Sequence, residues 1–349
     1  MLKKKYVLML SLIIFVITGC NTNEQKVLES PYKKTEFMMG TVVTLKIYDE
    51  GKEDVLSLAF NEMEQLAGQI GVGEANSQID QINTAAGEAP VEVSEDVFNL
   101  IQAGKSYSEQ AEGSFDITVG PLTSLWHIGY EDAKKPTQEE IDAVLPLINY
   151  QKVLLDEKEQ TVYLEDKGMG MDLGAIAKGF IADKVTQLLD EEGVTTAIID
   201  LGGNIYVKGN NPSGKEWTVG VQDPFTERGQ IVGKIEASNQ SIVTSGIYER
   251  YLEVDGERYH HILNPLNGYP YENEIAGVTI VSEKSIDGDA LSTLIFSKGL
   301  KDGLTHIEKQ EGVEAIFVDK DQQVYITSGL DDEFELTNES FKLGNREEL

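Results

Sequence analysis

Apolar residues recur at helical spacing over residues 53–70, where Leu56, Phe60, Met63, Ala67 and Ile70 share one face. A second helix begins after the capping residue Ser94 and carries Val97, Phe98, Ile101 and Tyr107. Thr137 and Glu140 stand three apart as a capping box that opens a short third helix. Between Phe37 and Tyr48 the pattern alternates instead, predicting one strand. After residue 196 the texture is mostly that of strands. Ala197–Leu201, Ile205–Val207, Trp217–Val221, Ile231–Ala237 and Ala276–Val281 are short apolar or alternating runs. Asp255-Gly256 lies between two further runs and predicts a type I′ hairpin. A helix over Asp287–Lys298 and a hairpin over Val313–Thr327 complete the series. Helices grouped early and antiparallel strands grouped late predict an α+β fold with largely antiparallel or mixed sheets and packed helices.

Residues 1–19 read as an address. Lys3, Lys4 and Lys5 precede an apolar run from Tyr6 to Ile17, and Gly19-Cys20 follows. That run is shorter than the ~20 apolar residues of a comfortable membrane span. Cys20 is the only cysteine, so no intramolecular disulfide can form. Its setting resembles a lipobox, which predicts a lipidated Cys20, a polar tether to residue 34, and attachment to the extracytoplasmic face of a bacterial cell membrane. The folded domain is then expected over residues 35–335, with a polar tail over 336–349.

Charge narrows the function further. The chain carries 29 Lys and Arg against 60 Asp and Glu, a formal net charge of −31. Loss of residues 1–19 removes three lysines and leaves −34. Such a surface repels nucleic acid, and repels polyphosphates too unless a cation or local dipole intervenes. Neither G-x-G-x-x-G nor G-x-x-x-x-G-K-[ST] occurs, so dinucleotide Rossmann and P-loop sites lack support.

Four segments could carry chemistry. Asp172-Leu173-Gly174-Ala175-Ile176-Ala177-Lys178-Gly179 is a glycine turn opening a helix, read either as an anion site or as an ordinary cap. Asp289 and Thr293 stand four apart, so one helix face presents a carboxylate and a hydroxyl, hard donors suited to Mg²⁺ or Ca²⁺. A capped helix start with Thr293 bonded back to its own helix fits the same spacing. His260 and His261, two of four histidines, are adjacent on a strand; one could act as a general base, or both could be packing or surface residues. Phe115-Asp116 places an acid beside an aromatic before a turn at Gly120-Pro121.

Taken in order, Met39-Gly40-Thr41, Phe115–Leu122 with Leu125-Trp126, Asp172–Gly179, Asp200–Asn204, Thr244-Ser245-Gly246, His261–Pro265 with Gly268, and Asp289 with Thr293 resemble the FAD:protein FMN transferases, the ApbE family. The resemblance spans roughly residues 35–330. It implies a two-lobed single domain that cleaves FAD, joins FMN through a phosphoester to a Thr or Ser of an acceptor protein, and releases AMP. It also implies Mg²⁺ held by Asp289, Thr293 and the backbone oxygen of Ala175, with His261 as the general base. Met39, Ser114, Phe115, Asp116, Asp172, Lys178 and Ile262 would line the FAD. The implied acceptor is an exported protein with a Ser/Thr motif, in electron transfer at the membrane.

Two positions depart from the family pattern. Asn264 stands where an Asp is common, and Gly71-Val72-Gly73-Glu74 lacks the usual aromatic that covers the flavin ring. Two other readings stay open: a flavin-binding lipoprotein that stores or hydrolyses FAD without transfer, and a non-catalytic solute-binding or adhesion lipoprotein.

Overall fold

A computed structural model describes residues 26–72, 77–226 and 228–349. The signal run, Cys20 and Gly73 lie outside the described residues. The first described strand, β1 (Val27–Met38), pairs antiparallel with β2 (Thr41–Asp49). The expected single strand over 37–48 is thus a hairpin, turned by Met39 and Gly40 at φ 53° and 71°. The expected tether is also shorter, because residues 27–34 already belong to β1.

Helices α1 (Val55–Ile70), α2 (Gln78–Thr84), α3 (Glu95–Gln110), α4 (Gly120–Trp126) and α5 (Gln138–Val144) follow. Ser94 Oγ accepts from Val97 N at the start of α3, and both halves of the Thr137–Glu140 capping box are formed. Three short strands, β3 (Val91–Glu92), β4 (Val153–Asp156) and β5 (Thr161–Leu164), make a small sheet before α6 (Ala177–Glu191).

The strand-rich half supplies β6 (Ala197–Leu201), β7 (Asn204–Lys208), β8 (Trp217–Gln222), β9 (Ile231–Ala237), β10 (Gln240–Gly246), β11 (Tyr251–Val254), β12 (Glu257–His260) and β13 (Ile275–Ser282). After α7 (Ser285–Ile307) come β14 (Val313–Asp319), β15 (Gln323–Ile326), β16 (Phe334–Leu336) and β17 (Lys342–Leu343). A nine-stranded sheet runs β1-β2-β6-β7-β10-β13-β14-β15-β17, and all its pairs are antiparallel except β15 with β17. The architecture is α+β, as expected. Asp255 and Gly256, at φ 55° and 83°, turn the β11–β12 hairpin.

Strand alternation splits the core in two. Ala315 and Phe317 of β14 face one cluster, which takes in Leu66 of α1, Ile101 of α3, Ile181 of α6 and Leu294 of α7. Ile316 and Val318 face the other, shared with Val219, Ile235, Phe334 and Phe341 from the β16-β9-β8 sheet and the C-terminal segment. Phe341 is 3% exposed, so the tail expected beyond residue 335 is part of the folded body. A third cluster joins Leu122 and Trp126 of α4 to Ile141 and Leu263, and Trp126 Nε1 donates to the carbonyl of Gly268 at 2.8 Å. That cluster ties α4 to the segment after His261.

Candidate functional site

One cavity of about 2320 Å³ opens where the β1–β2 turn, the 114–116 loop, the start of α6, the end of β12 and α7 converge. Its volume exceeds the ~300–1,000 Å³ of ordinary small-molecule pockets. Every described residue to which the resemblance gives a metal, base or FAD-lining role lines it: Met39, Ser114, Phe115, Asp116, Asp172, Ala175, Lys178, His261, Ile262, Asp289 and Thr293. They come from segments as much as 254 positions apart (Met39 to Thr293), so only the tertiary fold unites them.

Asp289 sits on the first turns of α7 with 3% exposure. Its Oδ2 accepts from Gly179 N at 2.7 Å, and its Oδ1 pairs with Lys178 Nζ at 3.0 Å. A backbone N–H of the first α6 turn thus points at a carboxylate of the protein itself, refining the expected anion site at this helix start. The close approach depends on Gly179: a Cβ there would lie 2.3 Å from Ser285 O and 2.6 Å from Ile286 Cα. Asp183 of α6 reinforces the junction, its two oxygens accepting from Ser285 N and Ile286 N at 2.7 and 3.0 Å. Burial works against the charge of Lys178, but the carboxylates of Asp289 and Glu249 outweigh it and hold the ammonium pKa above its ordinary value.

The turn before α6 is internally braced. Asp172 Oδ1 accepts from Gly174 N at 2.9 Å and Oδ2 from Thr123 Oγ1 at 2.7 Å. That brace orients the exposed Gly174 and leaves Ala175 half-buried on the cavity wall. Asp116 is braced likewise, accepting from Thr118 N, Thr118 Oγ1 and Tyr150 N. Burial raises its pKa against those three bonds. The Ser114 hydroxyl turns toward α7, donating to Ala111 O at 2.7 Å with Ser297 Oγ 2.8 Å away. Each of these residues borders the cavity, yet the side-chain oxygens of Asp116 and Ser114 mainly hold the loop in shape.

The adjacent histidines divide their roles. His260 is 9% exposed, its Nε2 donates to Tyr271 O at 2.9 Å and its Nδ1 accepts from Ile262 N at 3.3 Å. Both nitrogens are engaged, and the residue is structural. His261 Nδ1 lies 3.2 Å from Arg250 O, and His261 N donates to the same carbonyl at 3.1 Å. A carbonyl only accepts, so Nδ1 carries the proton and Nε2 keeps its lone pair. Burial, aided by the positive charges of Arg250 and Lys178, pushes the His261 pKa down to about 4, against the pull of the carbonyl bond.

Thr123, Arg228, Glu249 and Arg250 also line this cavity, and none was evident in the sequence. Glu249 faces Lys178, Arg228, Asp289 and Arg250; burial raises its carboxyl pKa despite the neighbouring cations. The Tyr248-Glu249-Arg250 run between two strands offered only its charge as a signal, in a chain rich in charge.

A sequence model of the ApbE family matches residues 39–317. A relative from Klebsiella pneumoniae (strain 342) named FAD:protein FMN transferase is 41% identical over 297 residues, covering 85% of this chain and 92% of the relative. Another of that name, from Treponema pallidum (strain Nichols), is 30% identical over 351 residues, covering 96% and 97%. Among solved structures, an ApbE protein of Thermotoga maritima aligns with a TM-score of 0.79 at 30% identity, over 86% of this chain and 98% of its own. The apo flavinyl transferase ApbE of Pseudomonas stutzeri aligns at 0.77 and 27% identity, over 88% and 98%.

Proposed function

Because this chain belongs to the ApbE family, we propose that it is a flavin transferase that cleaves FAD and joins FMN to a Thr or Ser hydroxyl of an acceptor protein, releasing AMP. The observation that carries the reading is the convergence of Asp289, Thr293, Ala175 and His261 on one cavity large enough for a dinucleotide and a protein segment.

The donor set fits Mg²⁺. Asp289 and Thr293 stand four apart on α7, and Ala175 lines the same cavity, offering a carboxylate, a hydroxyl and a backbone carbonyl, all hard oxygen donors. Among the described residues no group of three or more His, Cys, Asp or Glu forms a cage, so substrate phosphate and water would complete the shell. Bound there, Mg²⁺ would supply neutralisation of the charge that develops on the phosphate oxygens. Lys178, paired with Asp289 at 3.0 Å on the cavity wall, would offer its charge to the phosphates. His261 Nε2 accepts the proton of the acceptor hydroxyl as that oxygen attacks the FMN-side phosphorus. The P–O bond to AMP then breaks, and AMP leaves with the electron pair.

The N-terminal sequence supports anchoring through a lipidated Cys20 at the extracytoplasmic membrane face. An acceptor reached from there is itself exported, carries a Ser/Thr motif, and belongs to membrane electron transfer. Incubation of the protein with FAD, Mg²⁺ and candidate surface proteins should yield a covalent FMN adduct by mass spectrometry. Asp289→Ala should abolish it, since the helix loses its only charged metal ligand. Transfer undiminished in that variant would refute the site, and free FMN without adduct would mark a hydrolase.

A further inference from the structure

Three of the chain's four arginines, Arg228, Arg250 and Arg258, line the cavity of a protein whose formal charge is −31. Two of the three are committed. Arg258 pairs with Glu253 at 3.3 Å and lies over the Tyr251 ring at 4.6 Å. Arg228 Nη2 donates to Gly202 O at 3.0 Å. The Arg250 guanidinium, among the described residues, has neither an ion pair nor a hydrogen bond, although acids outnumber bases two to one in this chain.

The backbone around Arg250 is cut away to admit it. A Cβ at Gly40, in the β1–β2 turn beside Met39, would lie 3.0 Å from Nη2, and one at Gly129 would lie 3.1 Å from Cδ. Both glycines also have positive φ, 71° and 100°, where a side chain would be strained. The side chain therefore runs between two glycines whose missing Cβ atoms leave it tight but unclashed room. The same residue anchors the base, since its carbonyl takes both the amide and the Nδ1 of His261. Its charge is felt by His261, Lys178 and Glu249, which line the same cavity.

We propose that Arg250 binds the pyrophosphate of the dinucleotide, its planar fork holding a non-bridging oxygen of the phosphate that the acceptor hydroxyl attacks. This rests on the transferase reading. A bidentate guanidinium–phosphate contact is short, charge-assisted and directional, and five N–H donors with no protein acceptor are what such a contact requires. Because carbonyl and side chain belong to one residue, Arg250 ties the phosphate and His261 to the same backbone position. Arg250 also supplies the local cation that the overall negative charge demands of any polyphosphate site.

The test is titration of the full chain with FAD and with riboflavin, which shares the ring but has no phosphate. Arg250→Ala should weaken FAD binding by about ten- to a hundredfold, the order expected for one charged hydrogen-bonded contact, and leave riboflavin binding unchanged. Arg250→Lys, which keeps charge but loses the fork, should fall between. Circular dichroism and a thermal melt of each variant establish that it is folded. Equal loss for both ligands would show that Arg250 only shapes the cavity, and loss for neither would also overturn the proposal. Failure of the unaltered protein to bind FAD would overturn the transferase reading, and this inference with it.

Discussion

At the scale of single residues, His261 has the most definite consequences. Its Nδ1 proton is fixed by the Arg250 carbonyl, and burial holds its pKa at about 4, well below the usual imidazole value. A depressed imidazole is neutral, and so competent as a base, at every pH above that value. The charges bearing on it from neighbouring elements are those of Arg250, His260 and Lys178. The acid limb of the transfer rate should therefore fall below pH 5 and not near 6.5, measured as kcat/KM against pH. A limb near 6.5 would assign the proton transfer to another group. His261→Ala should slow transfer by about 10²–10⁴-fold, the usual range for general acid–base help, with FAD affinity nearly unchanged. Loss of FAD binding in that variant would make the residue structural. His261 was legible because histidines are few here and the surrounding motif is ordered. Arg250 and Glu249 were not, because a charged pair between strands has the look of a solvated hairpin until the fold sets it on the cavity wall.

At the scale of elements, the α6–α7 crossing holds the carboxylate. Gly179→Ala would drive a methyl into the Ser285 carbonyl, and the helices must separate to receive it. Overpacking of this kind costs about 1–3 kcal/mol, and here it also withdraws the Gly179 N–H from Asp289. The variant should lose stability in denaturant titration and also lose Mg²⁺ affinity by calorimetry. A stability loss with Mg²⁺ affinity intact would show that the crossing does not set the site. Helix starts were readable from Ser94 and from Thr137 with Glu140, because caps are local chemistry. The predicted end of α7 at Lys298 coincides with a break at Gly299, where φ is 73°. By contrast β1 read as tether because an edge strand with one face in water keeps polar residues along much of its length. The turn at Met39-Gly40 was hidden inside an alternation that continues on both sides of it.

At the scale of the whole molecule, one large sheet separates a helical core from a smaller β core, and the last residues close the second. Phe341→Ala should destabilise the protein by about 3–5 kcal/mol, the usual cost of emptying a buried aromatic site, as measured by urea unfolding. Phe341 stacks on the cavity-lining Phe225 with ring centroids 6.2 Å apart, so FAD affinity of the folded variant reports how far the loss reaches into the cavity. A change below 1 kcal/mol would mean that the C-terminal segment is not part of the cooperative unit. The α+β class was legible from the grouping of periods along the chain. The strand order was not, since β2 beside β6 and β10 beside β13 are pairings across long stretches of sequence that no local pattern encodes. The cavity inherits that non-locality: one wall is the first hairpin turn and another is α7 near the far end of the domain. Contacts of such long sequence separation form slowly and late, after the loops between them have been closed. The arrangement is therefore a check on completeness. A half-folded chain, or one still emerging, can own every reactive side chain and yet have no place to hold a flavin.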